Sequence, residues 1–290
     1  MATSNPVFKA GNTAVITGGA SGIGLALASK CGAYGMNVII CDKNISNLKA
    51  ATASIKGTGK IEGVEMDVSK VEDFVRVKGV VEAKFGGTIS ILALNAGTCP
   101  RNHSWTDPSY FQQTFAVNTL GITNGLATLL PLITTHSTAT HPSSIIITGS
   151  KQGITNPPGN PAYNASKAAV KFLAEHLSFD LRKESPTTSV HLLIPGWTFT
   201  GLTGSDPFNG EKKEKPEGAW TPEQVVEFLE ENMDMGAFYV MCPDNDVSEA
   251  LDRKRILWGI GDLLKGRPPL TRWREDWMVE AEEWIALSTA

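Results

Sequence analysis

Short, unbroken apolar runs alternate with stretches of helical spacing along the first two-thirds of the chain. TAVIT at 13–17, NVIIC at 37–41, 61–66, ISILAL around 89–94, SSIIIT at 143–148 and 188–194 read as strands. Between them, 23–34, 44–56, 70–85, 108–133 and 161–183 carry apolar residues three and four apart, as helices do. Strands that are apolar throughout, rather than alternating, predict burial on both faces. The strand–helix rhythm therefore predicts an α/β fold: a parallel sheet of about seven strands, doubly wound by right-handed crossovers, with helices on both faces.

The rhythm changes after Pro195. Residues 200–220, TGLTGSDPFNGEKKEKPEGAW, are rich in Gly, Pro and charge and predict a covering loop, within a lid region spanning 200–235. Within it the run EKKEKPE at 211–217 reads as solvated surface. Thr221-Pro222-Glu223-Gln224 is a helix start, with Thr as cap, Pro at the first helical position and Gln224 closing a capping box. AFYVMC at 237–242 predicts the last strand. A helix start near Ser248 then opens a helical extension, 243–290, on what reads as one domain over 1–290.

Composition narrows the class. A formal net charge of −4, with 41% hydrophobic residues, excludes a disordered chain. No apolar run approaches a membrane span, and a pI near 5.8 argues against a general nucleic-acid binder. The N-terminus shows no basic-then-apolar leader, so the expectation is a cytoplasmic protein. Cys31, Cys41, Cys99 and Cys242 form no CxxC pair and are expected to be free, buried thiols. The five histidines show no metal-ligand spacing, so no metal is expected in the mechanism. The 28 glycines exceed the usual share of about 7%. Gly201, Gly204, Gly210, Gly218 and Gly236 punctuate the lid and its helix, and others fall at the turns described next.

Thr17-Gly18-Gly19-Ala20-Ser21-Gly22-Ile23-Gly24 joins the first strand to the first helix. Glycines there permit a tight turn and close approach of the backbone to a pyrophosphate, and a helix N-terminus favours its charge. Asp42 ends the second strand, 18 residues past Gly24. A carboxylate at that place can accept hydrogen bonds from an adenosine ribose and repel a 2′-phosphate; its blander role is to cap a turn. NAD(H) is favoured on this ground, while NADP(H) is possible because Lys43 follows Asp42. Tyr163 and Lys167 stand four apart on one helical face, where an ammonium would lower the tyrosine pKa and make Tyr163 a general acid or base. Ser150 ends the preceding strand, placed to hydrogen-bond a carbonyl oxygen that gains charge.

Taken together, these residues resemble the short-chain dehydrogenase/reductase family, in its compact single-domain branch, over about 13–200. TGGASGIG has the branch's TGxxxGxG form. Asp67-Val68 resembles its adenine-contacting pair, Asn95-Ala96-Gly97 the end of its NNAG motif, and Pro195-Gly196-Trp197-Thr198-Phe199-Thr200 its PGxxxT segment beside the nicotinamide. Asn118, Ser150, Tyr163 and Lys167 fall at its catalytic tetrad. The resemblance implies a single Rossmann-fold domain that interconverts an alcohol and a carbonyl compound. Tyr163 would exchange the proton and Ser150 hold the substrate oxygen. Lys167 would bind ribose hydroxyls and tune Tyr163, and Asn118 would hold a water leading to solvent. It further implies cofactor contacts at Gly18, Ser21, Gly22, Ile23, Gly24, Asp42, Asp67, Val68, Asn95, Ala96, Gly97, Tyr163, Lys167, Pro195, Gly196, Thr198 and Thr200. A small-molecule substrate and a homodimer or homotetramer, paired through helices 108–133 and 161–183, are implied as well, with neither nucleic acid nor membrane as partner.

Two departures stand out. Leu94 replaces the first Asn of NNAG, and the ending after AFYVMC is unlike the family's. Four of the seven tryptophans, Trp258, Trp273, Trp277 and Trp284, lie in that ending. Positions 273, 277 and 284 are expected to share a helical face that packs on the domain, contacts a subunit or covers the site. Trp105, Gln152, Trp197 and Phe199 are the expected substrate-pocket residues. The rival readings are a dinucleotide-binding sensor without turnover and an epimerase or dehydratase on the same fold.

Overall fold

Neighbouring residues of each strand face opposite helical layers, because side chains alternate across a pleated strand. In a computed structural model describing residues 6–100, 104–208 and 213–288, the strands are β1 (Thr13–Thr17), β2 (Asn37–Asp42), β3 (Ile61–Glu65), β4 (Ile91–Leu94), β5 (Ser143–Thr148), β6 (Thr188–Ile194) and β7 (Tyr239–Met241). The helices are α1 (Gly22–Ala33), α2 (Ile45–Ser54), α3 (Val71–Lys84), α4 (Pro108–Phe115), α5 (Gly121–Leu129), α6 (Pro131–Thr134), α7 (Gln152–Thr155), α8 (Pro161–Glu184), α9 (Pro222–Asp234), α10 (Glu249–Leu264) and α11 (Met278–Leu287). All seven strands pair in parallel, in the order β3-β2-β1-β4-β5-β6-β7. The order reverses direction between β1 and β4, which opens a crevice at the carboxyl ends of those strands.

Ala14, Ile16, Val38 and Ile40 pack against Leu27 and Cys31 of α1, Leu48 of α2 and Leu229 of α9. Val15, Ile39, Leu92 and Ile145 face the other way, onto Phe74 and Val77 of α3, Leu129 of α5 and Val170 of α8. Burying one large aliphatic side chain contributes about 1.5–3 kcal/mol, so these two layers fix the sheet and the site above it.

Several boundaries differ from the sequence reading. The expected single helix over 108–133 is broken. A π-turn occupies Ala116–Leu120 between α4 and α5, and Pro131, which cannot donate to the preceding turn, starts α6. The capping box at Thr221 and Gln224 forms with both reciprocal bonds, and Ser248 caps α10. The expected common face of Trp273, Trp277 and Trp284 does not form. Trp273 ends a 3-10 turn (Thr271–Trp273), Trp277 precedes the first turn of α11, and only Trp284 lies within that helix. Leu270, at φ +61°, breaks the path before the turn. The extension is instead held by polar contacts. Buried Thr271 accepts from Trp258 Nε1 at 2.9 Å and donates to Asp262 Oδ1 at 2.5 Å, while Trp258 packs 5.7 Å from Trp284, centre to centre.

The loop after β6 is tied down where it is described. Phe199 N donates to Trp220 O and Trp220 N to Trp197 O, both at 2.9 Å. Asp206 accepts from Asn47 Nδ2 at 3.2 Å, and Lys215 Nζ reaches Ala219 O at 2.7 Å. Gly210, Glu211 and Lys212 lie outside the described residues. Among the described residues no helix is long and apolar enough to cross a membrane.

Candidate active site

The crevice is a cleft of about 540 Å³. One end is floored by the turn between β1 and α1. Gly18 and Gly22 hold φ +64° and +51°, backbone that L-residues with side chains rarely adopt. A Cβ on Gly18 would stand 2.9 Å from Ala96 Cα, and one on Gly24 would stand 2.2 Å from Gly18 O. Gly24 therefore serves the close packing of helix on turn, and it is not among the residues lining the cleft. Ser21 and Ile23 line the opening beside the helix N-terminus.

Asp42 ends β2 at the rim. Its carboxylate accepts from Ala20 N at 3.2 Å and Asn44 N at 3.0 Å, so it does cap the turn, and it also faces the cleft beside Lys43. Asp67 and Val68 line the same end. Asp67 accepts from the Ser69 hydroxyl and amide, and the hydroxyl bond is the main cause that holds its carboxyl below the usual range.

Asn95 joins the two ends. Its Nδ2 donates to Thr17 O at 3.1 Å and its Oδ1 accepts from Thr148 Oγ1 at 3.1 Å, bridging β1, β4 and β5. The neighbouring Leu94 is buried in the core, where a Cβ on Gly125 would come within 2.6 Å of it. The departure from the NNAG pattern thus falls beneath the cleft, and Leu94 does not line it.

The far end collects Ser150, Tyr163 and Lys167. Asn160 caps α8 by accepting from Tyr163 N, with Pro161 at the first helical position, and this delivers Tyr163 and Lys167 from one helix face. Gly153 lets α7 approach α8, since a Cβ there would meet Lys167 C at 2.5 Å. Burial pushes the Tyr163 phenol up to about 12, against a hydrogen bond from Ser150 that pulls it down. The i, i+4 spacing predicts that Lys167 lowers this phenol, but burial outweighs any such pull. Lys167 Nζ donates to Thr148 O at 2.8 Å and lies 5.9 Å from the ring centre, and burial takes its own pKa down to about 8.

Asn118 sits in the π-turn, fully buried. Its Oδ1 accepts from Thr98 N at 2.7 Å, and its Nδ2 donates to Thr98 O and Ser166 Oγ, both at 3.0 Å. Its side-chain amide is thus committed to holding the Thr98 backbone, in the segment after β4, beside Gly97. Ala96, Gly97, Pro195, Gly196, Thr198 and Thr200 all line the cleft.

Of the expected pocket residues, Gln152 and Trp197 line the cleft, and Phe199 and Trp105 do not. The Phe199 backbone is paired with Trp220. Trp105 is 79% exposed and packs on Phe111, 5.4 Å between centres. Cys99 also departs from expectation, since it is half-buried and lines the cleft, accepting from Asn160 Nδ2 at 3.0 Å.

Sequence reasoning missed Lys151. It lines the cleft beside Ser150 and pairs with Asp252 and Asp244 from the extension. Its partners lie about a hundred residues away in a loop and a helix start, with no periodicity or motif to join them.

Comparison with known proteins places this geometry. A family model described as short chain dehydrogenase matches residues 12–208. An NADP-dependent (R)-specific alcohol dehydrogenase of Lentilactobacillus kefiri is 27% identical over 213 residues, covering 72% of this chain and 83% of that protein. A cis-2,3-dihydrobiphenyl-2,3-diol dehydrogenase of Pseudomonas putida is 30% identical over 200 residues, covering 67% of this chain and 68% of its own. Among solved structures, a short chain dehydrogenase/reductase from Burkholderia phymatum in complex with NAD superposes with a TM-score of 0.76 at 25% identity. That alignment covers 90% of this chain and 97% of the other.

Proposed function

The chain belongs to the short-chain dehydrogenase/reductase family of oxidoreductases, and from that premise we propose that it interconverts an alcohol and its carbonyl compound, a secondary alcohol with its ketone or a primary alcohol with its aldehyde, with NAD(H) or NADP(H). The observation that carries this reading is the convergence of Ser150, Tyr163 and Lys167 at one end of a cleft whose other end holds the glycine turn and Asp42.

The residues present fit a dinucleotide. Gly18 and Gly22, both at positive φ, line the cleft with backbone beside the N-terminus of α1. Pyrophosphate would rest there on the N-terminus of α1, the adenosine ribose at Asp42, and the adenine by Asp67 and Val68. Bound there, the cofactor would supply or take up the hydride. Lys167, close to Gly97, would hold ribose hydroxyls, while Asn118 holds the Thr98 backbone in place.

With the phenol at about 12, Tyr163 is protonated at neutral pH and is set to donate a proton to a carbonyl oxygen as that oxygen gains charge. Ser150 would hold the same oxygen by its hydroxyl. Oxidation of an alcohol runs the proton the other way, so it requires the phenolate. That form is favoured when Lys167 is charged and near.

Asp42 favours NAD(H), and Lys43 beside it keeps NADP(H) in play. A homodimer or homotetramer is in keeping with the exposed Phe172 and Phe179, seven residues apart on α8, and with Leu120 on the π-turn. Residues 1–290 act in this reading as one unit.

The test is a panel of alcohols and carbonyl compounds followed at the nicotinamide absorbance band with both cofactors. Steady turnover with at least one couple is the expected result. Cofactor binding without net change for any couple would overturn it in favour of a sensor.

A further inference from the structure

Lys151, the residue after Ser150, joins the wall of the cleft to a buried cluster built by the C-terminal extension. It pairs with Asp252 on α10 and lies 3.6 Å from Asp244 Oδ2, and all three side chains are less than 15% exposed. The same Asp244 oxygen accepts from Trp197 N at 3.1 Å. Lys151 N in turn donates to Pro195 O at 3.4 Å. The packing leaves no slack, since a Cβ on Gly196 would stand 2.6 Å from Asp244 Oδ2 and 2.9 Å from Lys151 Nζ. Asn245 N continues the grip, donating to Gly218 O at 3.0 Å in the covering loop.

Burying two carboxylates and one ammonium is costly, and a purely apolar contact would dock the extension at least as well. What the charges add is a defined geometry for the groups they touch. Those groups are the backbone of 195–197 and the residue beside Ser150. A dinucleotide with its pyrophosphate on the glycine turn and its adenosine at Asp42 must extend its nicotinamide toward Ser150 and Tyr163, along this wall.

We propose that Asp244 and Asp252, acting through Lys151 and the Trp197 amide, are positioning residues for the nicotinamide end of the cleft. The extension, which lies beyond the matched family segment, thereby completes the cofactor site. This inference rests on the dinucleotide reading given above.

The test measures binding of NADH and of ADP-ribose, which lacks the nicotinamide, to the full chain by calorimetry, with NADPH and 2′-phospho-ADP-ribose in parallel. Asp244→Ala and Lys151→Met are expected to weaken the complete dinucleotide about tenfold, some 1.4 kcal/mol. ADP-ribose should stay within about twofold, because the phosphate turn is untouched. Asp244→Asn keeps an acceptor for Trp197 N and should recover most of the loss, which a role in bulk stability would not produce. Should a single variant fail to fold by thermal melt, Lys151→Met/Asp252→Leu removes the buried Lys151–Asp252 pair as a unit and must show the same selective loss. Equal weakening of both ligands, or no weakening in folded variants, overturns the inference alone. A wild-type chain that binds neither ligand overturns the dinucleotide reading, and the inference with it.

Discussion

The Lys167 ammonium donates to the Thr148 carbonyl at 2.8 Å while standing 5.9 Å from the centre of the Tyr163 ring. The lysine is therefore a buried amine held by the Thr148 carbonyl, and burial lowers its pKa from 10.5 to about 8. Between these values the unfolded chain keeps a proton that the folded protein has lost. Stability from this group therefore rises as pH goes from about 8 to 10.5. Its full size is about 3 kcal/mol. Lys167→Met removes that pH dependence, so the wild type should gain on the variant across this window in thermal melts. Parallel melting curves at pH 7.5 and 10 would contradict it.

Removing the Tyr163 hydroxyl takes away the proposed proton donor and the hydrogen bond from Ser150 while leaving the cofactor end intact. Tyr163→Phe should lower turnover by about 10²–10⁴-fold and leave dinucleotide affinity near the wild-type value. Retention of most of the wild-type rate would place the proton transfer elsewhere.

Asp42 carries the negative charge at the adenosine rim, and Lys43 flanks it in the same lining. Asp42→Asn preserves the acceptor for Ala20 N or Asn44 N but removes the repulsion toward a 2′-phosphate. The ratio of NADPH to NADH affinity should rise about tenfold, roughly 1.4 kcal/mol, as read by titration with each cofactor. An unchanged ratio would mean that Asp42 only caps its turn.

The extension depends on one buried hydroxyl. Thr271→Val keeps the shape but deprives Trp258 Nε1 of its acceptor and Asp262 Oδ1 of one partner, leaving it Arg267 Nε at 3.0 Å. A loss of about 1–3 kcal/mol is expected in chemical denaturation. A variant as stable as wild type would show that the polar core of the extension is dispensable.

What the sequence discloses follows from how local each signal is. The strands are legible because burial on both faces makes them continuously apolar, as in Ile39–Ile40 and Ile145–Ile147. The turn at Gly18 and the cap at Thr221 are legible because their chemistry lies within a few residues. The π-turn around Asn118 is not, since its residues keep the helical spacing and only the clamp onto Thr98 reveals it. The tail is illegible for a related reason. Its tryptophans read as one helical face, but Leu270 and the short turn at 271–273 divide it, and its contacts join residues through tertiary geometry. Tyr163 and Lys167 share one face of α8, as their spacing predicts, yet spacing says nothing about which carbonyl the ammonium chooses or how deeply the phenol is buried.

Asn95 ties the β1 end, and through Gly18 O at 3.4 Å the glycine turn, to Thr148, whose carbonyl holds Lys167. The two halves of the cleft thus share one keystone, with no second amide doing the same task among the contacts described. Adaptation toward a new cofactor or a new substrate can proceed at either rim independently, but a change at this position is transmitted to both at once. Asn95 should consequently tolerate substitution least of all in a library selected for altered specificity.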